Sequence, residues 1–305
     1  MSKLLISSLL GLATIIGSLP FPSTSDDFDG GGADPLTDDP LPKEESYIED
    51  PTLQIRFFPL EQGEAVLIQL PQSRQNILIN TGSPESQSEL LEWLAEDEVY
   101  HLNAIVLSNS SPSQVGGFRP LLQTMKVEQV VVPRLTRYLF PVASLPDGVS
   151  LVEAAKGDQF VRGQFSLQVL SPQEPLSLSP QNNAMVLLGN LERFRFLLTS
   201  EIGEAVESRL VEEYDLSSLN LLQVSDFGSN QASGEAFLQE VDAEIGIVFH
   251  NGDEEYSQSE EVMERLYESW MDVYTLPKDG EIAIVSNGED YQVLKKRQRQ
   301  PSPHA

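Results

Sequence analysis

Few side chains in this chain could do covalent or metal chemistry. Its 305 residues include no Cys and only three His: His101, His250 and His304. Without Cys there are no thiol nucleophiles, disulfides, iron–sulfur clusters or Cys-based zinc sites, and no anchor through an acylated Cys. Three scattered imidazoles leave any His-rich metal cluster short of ligands. His101 and His250 border apolar runs, where a lone His is expected to be a hydrogen-bonded structural residue. Ser225 or Ser229 with His250 would supply a nucleophile and a base, but no G-x-S-x-G elbow surrounds either serine. Gly116-Gly117 and Gly157 form no phosphate loop, because G-x-x-x-x-G-K-[ST] is missing.

Charge narrows the partners. Lys and Arg number 19 against 47 Asp and Glu, a formal net charge of −28. Such a chain repels phosphate backbones, so nucleic acid is not an expected partner. Hydrophobic residues make up 40% of the chain, enough for a sizeable core.

The ends differ from the middle. Residues 1–20 place Lys3 before the apolar run Leu4–Ile16, the layout of a signal peptide or, if uncleaved, a signal anchor. Residues 21–52 read as an acidic, disordered linker, with ten Asp and Glu against one Lys from Asp26 to Asp50. A folded domain is expected over 53–294. Residues 295–305 read as a disordered basic tail carrying Lys295, Lys296, Arg297 and Arg299. The expected location is extracytoplasmic, secreted or held at the membrane by the N-terminal segment alone.

Within 53–294, apolar runs alternate with amphipathic segments. Strands are expected at Gln54–Phe58, Glu64–Leu70, Asn76–Ile79, Ala104–Leu107 and Gln129–Val132. Helices are expected at Pro84–Ala95, capped by Ser83, and at Gln114–Thr124. The second half repeats the style. Strands are expected at Phe165–Leu170, Ala184–Leu188, Phe194–Thr199, Leu219–Val224, Glu244–Phe249, Val273–Leu276, Glu281–Val285 and Tyr291–Leu294. Its helices are Gly203–Glu213, Gly234–Glu240 and Glu260–Trp270. Trp93 and Trp270 are expected to anchor helices on the sheets. Two such halves predict two mixed sheets packed face to face with helices outside.

Six ordered landmarks then resemble the metallo-β-lactamase-fold domain of ComEC-type competence proteins. Leu60–Ile68 resembles VGQGDA(I/V)LI, and Ile77–Gly82 resembles ILIDTG. Ile105–Ser108 and Val115–Phe118 frame the place of the L(T/S)-H-x-H-x-D-H-x-G-G loop. Leu197–Glu201 resembles LLTGD, Val224–Ser229 resembles VPHHGS, and Tyr256–Val262 resembles the late YGHPxxEV element. The fold class this implies is α/β (α+β), a four-layer αββα sandwich of two mixed sheets with outer helices.

The resemblance also implies two metal ions, usually zinc, that activate a water. Here every ligand position departs from the family. The loop carries Asn109, Ser111, Ser113 and Gln114, and the IDTG aspartate is Asn80. Glu201 stands for the bridging aspartate. Asp226 and Phe227 replace the paired histidines, and Gln258 the late one. The zinc site is therefore expected to be lost, leaving no catalytic residue and no cofactor. The expected protein is a binding or scaffolding module for an unknown protein or small ligand at the cell envelope. One alternative is a hydrolase with a rearranged site, holding magnesium or calcium through Glu201, Asp226, Asn80 and Asn109. Another is an accessory protein in DNA uptake, touching DNA through the basic tail.

Overall fold

The computed structural model describes residues 48, 50–252 and 258–296. These belong to the second of two units, Lys43–Ala305; the first is Met1–Pro42. The segment 1–20, nearly all of the linker, Tyr256-Ser257, the tail from Arg297 and His304 lie outside the described residues.

The first half builds β1 (Leu53–Phe57), β2 (Val66–Leu70), β3 (Gln75–Ile79), α1 (Gln87–Glu96), β4 (His101–Val106), α2 (Pro112–Val115), α3 (Phe118–Thr124), β5 (Lys126–Pro133) and β6 (Ser150–Ala154). The second builds β7 (Gln159–Arg162), β8 (Phe165–Ser171), β9 (Val186–Leu191), β10 (Phe194–Leu198), α4 (Glu204–Glu213), β11 (Leu221–Gln223), α5 (Glu235–Val241) and β12 (Ile245–Val248). It closes with α6 (Glu260–Glu268), β13 (Asp272–Thr275), α7 (Leu276–Asp279), β14 (Glu281–Ser286) and β15 (Tyr291–Lys296).

Two mixed sheets result, ordered β15-β14-β1-β2-β3-β4-β5-β6 and β13-β12-β11-β10-β9-β8-β7. In each, an antiparallel meander gives way to parallel strands: β3 to β6 in one, β10 to β13 in the other. Strand alternation distributes the apolar residues. Val66, Ile68 and Leu70 of β2 and Phe194, Phe196 and Leu198 of β10 fill the core between the sheets. Leu67 and Leu197 face the other way, under α1 and α3 and under α4 to α6 respectively. Helix, sheet, sheet and helix thus form four layers.

Several boundaries differ from expectation. The segment Gln114–Thr124 is two helices, broken at Gly116-Gly117. Helix α1 starts after Ser86; Ser83 Oγ accepts the Ser86 amide (3.2 Å) instead of capping the helix directly. Strands β6 and β7 escaped the sequence pattern because both are largely exposed edge strands. Lys295 and Lys296 are not tail residues but the end of β15. There Lys295 pairs with Asp279 (3.1 Å), and Lys296 with Asp97 (2.6 Å) and Glu281 (3.3 Å). Ile48, assigned to the linker, is buried.

Trp270 also departs from expectation. Val262 and Leu266 of α6 are fully buried and Trp93 is buried, but the helix ends at Glu268 and Trp270 is 95% exposed. A turn with Trp270 at φ 61° carries the side chain off the apolar face. Trp270→Ala should therefore shift stability by no more than about 0.5 kcal/mol in urea denaturation, unlike the 3–5 kcal/mol typical of a buried Trp. Among the described residues no helix is long and apolar enough to cross a membrane.

Candidate functional site

Parallel strands β3, β4, β10 and β11 deliver their C-terminal ends, and the loops that follow them, to one end of the sandwich. In open α/β sheets this is where ligands bind. Asn80 follows β3, Ser108 to Ser113 follow β4, Ser200 and Glu201 follow β10, and Asp226 follows β11. The backbone there is bent out of ordinary geometry. Asn80 (φ 58°), Ser200 (57°), Asp226 (48°) and Phe227 (55°) all adopt the left-handed conformation. Each costs on the order of 1–3 kcal/mol unless its surroundings fix it.

Backbone hydrogen bonds hold three of them directly: Asn80 N donates to Val106 O (2.8 Å) and Asp226 N to Ser200 O (2.9 Å). Others tie the surrounding loops together. Glu64 N donates to Ser113 O (3.2 Å), Thr81 N to Gln114 O (2.8 Å) and Gly116 N to Gly82 O (2.8 Å). The approach is close enough to require glycine. A Cβ on Gly63 (φ 93°) would lie 2.1 Å from Ser113 O, and one on Gly116 would lie 2.1 Å from Pro84 N.

Side chains converge on Glu201, which is nearly buried. Asn109 Nδ2 donates to its Oε2 (3.0 Å). Ser111 Oγ (2.9 Å), Ser113 Oγ (2.8 Å) and Gln114 Nε2 (3.0 Å) donate to its Oε1. Asn109 Oδ1 accepts the Ser111 amide (3.1 Å), which fixes the orientation of its own amide group. Behind this ring, Asn80 Oδ1 accepts Ser108 N (2.8 Å) and lies 2.9 Å from Ser108 Oγ. Ser108 Oγ is in turn 2.9 Å from Ser200 Oγ.

The remaining expected positions fall outside the ring. The Asp226 amide donates to Ser200 O (2.9 Å), and its carboxyl is bonded by the Ser229 hydroxyl. Burial pushes the Asp226 pKa up; the Ser229 bond offsets this in part, and the charge of Glu201 adds to the rise. Phe227 is buried in the core between the sheets. Gln258 packs beside Gly228, within 3.5 Å of where a Cβ there would stand. His101 pairs with Glu128 at the surface (3.0 Å). The His250 main-chain carbonyl accepts the Gly63 amide (3.2 Å).

The sequence reading did not single out Glu64. Its carboxyl is fully buried, and neither oxygen completes a hydrogen bond. Burial is the main cause of a pKa pushed up to about 8. The charge of Glu201 raises it further, the neighbouring amides of Gln223 and Gln114 lower it, and Asp226 adds a small rise. Gln114 Oε1 and Gln223 Nε2 also lack partners. One is an acceptor and the other a donor, matching the O–H and C=O of a neutral carboxylic acid. The available signal was a carboxylate set directly against the apolar run Ala65–Ile68.

The chain was then compared with known proteins. No family model matches it. It is 23% identical over 216 residues to ComE operon protein 3 of Bacillus subtilis, covering 64% of this chain and 28% of that protein. It is 23% identical over 206 residues to Recombination protein 2 of Haemophilus influenzae, covering 66% of this chain and 24% of that protein. The chain thus spans about a quarter of the length of these curated relatives. Among solved structures, the metallo-β-lactamase-fold protein YhfI of Bacillus subtilis matches with a TM-score of 0.52 at 12% identity, over 73% of this chain and 95% of that one. The chain has the metallo-β-lactamase fold.

At the positions that the family resemblance aligns with metal ligands, two side chains turn hydrogen-bond donors, not lone pairs, toward the centre of the ring. Asn109 and Gln114 present N–H groups to Glu201, and a nitrogen bearing those hydrogens has no lone pair for a metal. The Asn109 oxygen is already taken by the Ser111 amide. Among the described residues no group of three or more His, Asp or Glu is arranged to hold a metal.

Proposed function

We propose that this metallo-β-lactamase-fold protein has exchanged its dinuclear metal centre for a hydrogen-bond network and works as a non-catalytic binding or scaffolding module. One observation carries the reading: four side chains that the resemblance aligns with metal ligands, from the loop after β4 and helix α2, all donate to the single carboxyl of Glu201. Ligand positions that serve as hydrogen-bond donors supply no Lewis acid and no activated water. What remains is a frame whose strained turns are held by hydrogen bonds.

The N-terminal pattern of Lys3 and Leu4–Ile16 supports export, so the module would act outside the membrane, on a protein or small ligand of the cell envelope. Similarity to ComE operon protein 3 and Recombination protein 2 supports a place beside DNA uptake. The net charge of −28 argues for contact with a protein of that machinery over contact with DNA.

A second reading has its own observation. Glu64, Glu201 and Asp226 are close enough for Glu201 to raise the other two, so a hard cation would relieve the crowding. Metal analysis separates the readings. The full chain is purified without chelator, analysed for metals and melted with and without Zn, Mn, Mg and Ca. The expected result is less than about 0.1 metal per chain and an unchanged Tm, because no set of free ligands binds the folded state. Stoichiometric metal, or a rise in Tm of several degrees lost in Asp226→Ala, would overturn the proposal.

A further inference from the structure

Between the sheets, at the edge formed by β6 and β7, lies a cavity of about 250 Å³. Its origin is visible in the packing. The chain crosses from one sheet to the other between Ala154 and Gln159, so these short strands form the last rung on that side. The inward positions on one wall include Ala104 and Ala154, which are too small to meet Leu167 and Val169 on the other. Phe160 closes the β7 side, stacked edge-on against Phe165 at 6.3 Å with the Arg162 guanidinium over its outer face at 4.8 Å.

The lining defines a ligand class. The body is aliphatic, completed by Val131 and Leu187. Polar groups stand only at Gln129, Asp158 and Gln159. The Asp158 carboxylate accepts the Ala155 amide (2.9 Å) and faces Arg134 (3.6 Å), both through Oδ2, and stands at the exposed rim. Besides that one carboxylate at the rim, the polar lining is two neutral amides, each able to give or take one hydrogen bond. A dry apolar cavity of about 150 Å³ holds benzene, so this one would hold roughly ten non-hydrogen atoms. An anionic ligand would lose hydration inside the aliphatic body and meet the Asp158 carboxylate at its rim, with no cation in the lining.

We infer that this cavity binds a neutral, mainly apolar small molecule of about that size, carrying one hydrogen-bonding group that meets Gln129 or Gln159. The inference goes beyond the proposed function and holds whether or not a metal is bound. The cavity still lies close to the loop network: Met185, in its wall, donates its amide to Ser108 O (2.8 Å). A ligand here would press on the strand end that carries Asn109.

The test titrates the methyl-labelled full chain with indole and 1-octanol, using octanoate as the charged control, and follows methyl resonances. The expected result is saturable shifts confined to Val131, Leu167, Val169, Leu187 and their neighbours. Octanoate should bind at least about tenfold more weakly. Ala104→Leu should fill the space and abolish the shifts while the rest of the spectrum is retained. If that variant does not fold, Ala154→Leu fills the same space from the other strand. No saturable shift with either neutral probe would overturn the inference. So would unchanged binding in a folded, cavity-filled variant, or octanoate binding as tightly as octanol.

Discussion

Glu201→Ala is expected to cost about 3–5 kcal/mol of folding stability. The side chain receives four donors, and two of them, the amides of Asn109 and Gln114, belong to buried residues. A buried donor left without an acceptor costs about 1–3 kcal/mol. The hydroxyls of Ser111 and Ser113 lie in part-buried surroundings and can turn to water, so they add less. The loss should appear in urea denaturation as a lower midpoint with an unchanged slope. Ser111→Ala and Ser113→Ala should each cost only about 1 kcal/mol, because a remaining donor still meets the carboxyl. Combining either with Glu201→Ala should be markedly less than additive, since both changes remove the same bond. A Glu201→Ala cost below 1 kcal/mol would mean that the ring contributes little to the frame. The proposal that a network has taken over the role of a metal centre would then lose its energetic basis.

How much of this was legible in the sequence depends on burial. The long apolar runs Val66–Leu70, Gln129–Val132 and Phe194–Leu198 announced themselves because both faces of these strands are covered. The edge strands Ser150–Ala154 and Gln159–Arg162 did not, because one face meets water and Val152 and Val161 stay exposed. Trp270 misled because it lies four positions beyond Leu266, itself four beyond Val262, and so continues a real helix face past the point where the chain turns away. At the site, the ordered motifs were enough to nominate Asn109, Ser111, Ser113, Gln114 and Glu201. Their identities alone could not show that all of them meet on one carboxyl. That requires the loop after β4 and the loop after β10, some 90 positions apart in sequence, to face each other across two sheets. Glu64 was hidden for a related reason. Read as the first residue of the strand Glu64–Leu70, it carries no mark of burial of its own, and only the fold shows that its carboxyl lies beside the amides of Gln114 and Gln223.

Glu64 also sets the expected response to pH. In the fold its pKa is pushed up to about 8, against an ordinary value of 4.5, chiefly by burial. Below pH 4.5 the group is protonated in both folded and unfolded chains and has no effect on the pH slope. Between 4.5 and about 8 the folded chain holds a proton that the unfolded chain has released, so stability falls as pH rises. Above about 8 both forms are ionised and the fall stops. At 1.36 kcal/mol per unit, the loss reaches about 3 kcal/mol by pH 7. Glu64→Gln keeps the shape of the neutral acid and removes its titration. The variant should match the wild type at pH 4 and exceed its stability by about 3 kcal/mol at pH 7. Glu207, also raised by burial, tilts both proteins in the same direction and cancels in the difference; Asp226, the smallest contributor to the Glu64 rise, adds only a minor coupling. Denaturation of both proteins from pH 4 to 8 measures that difference directly. A difference that stays flat across the range would mean that Glu64 ionises normally within the fold. The unpartnered acceptor of Gln114 and donor of Gln223 would then be facing a charge instead of a neutral acid.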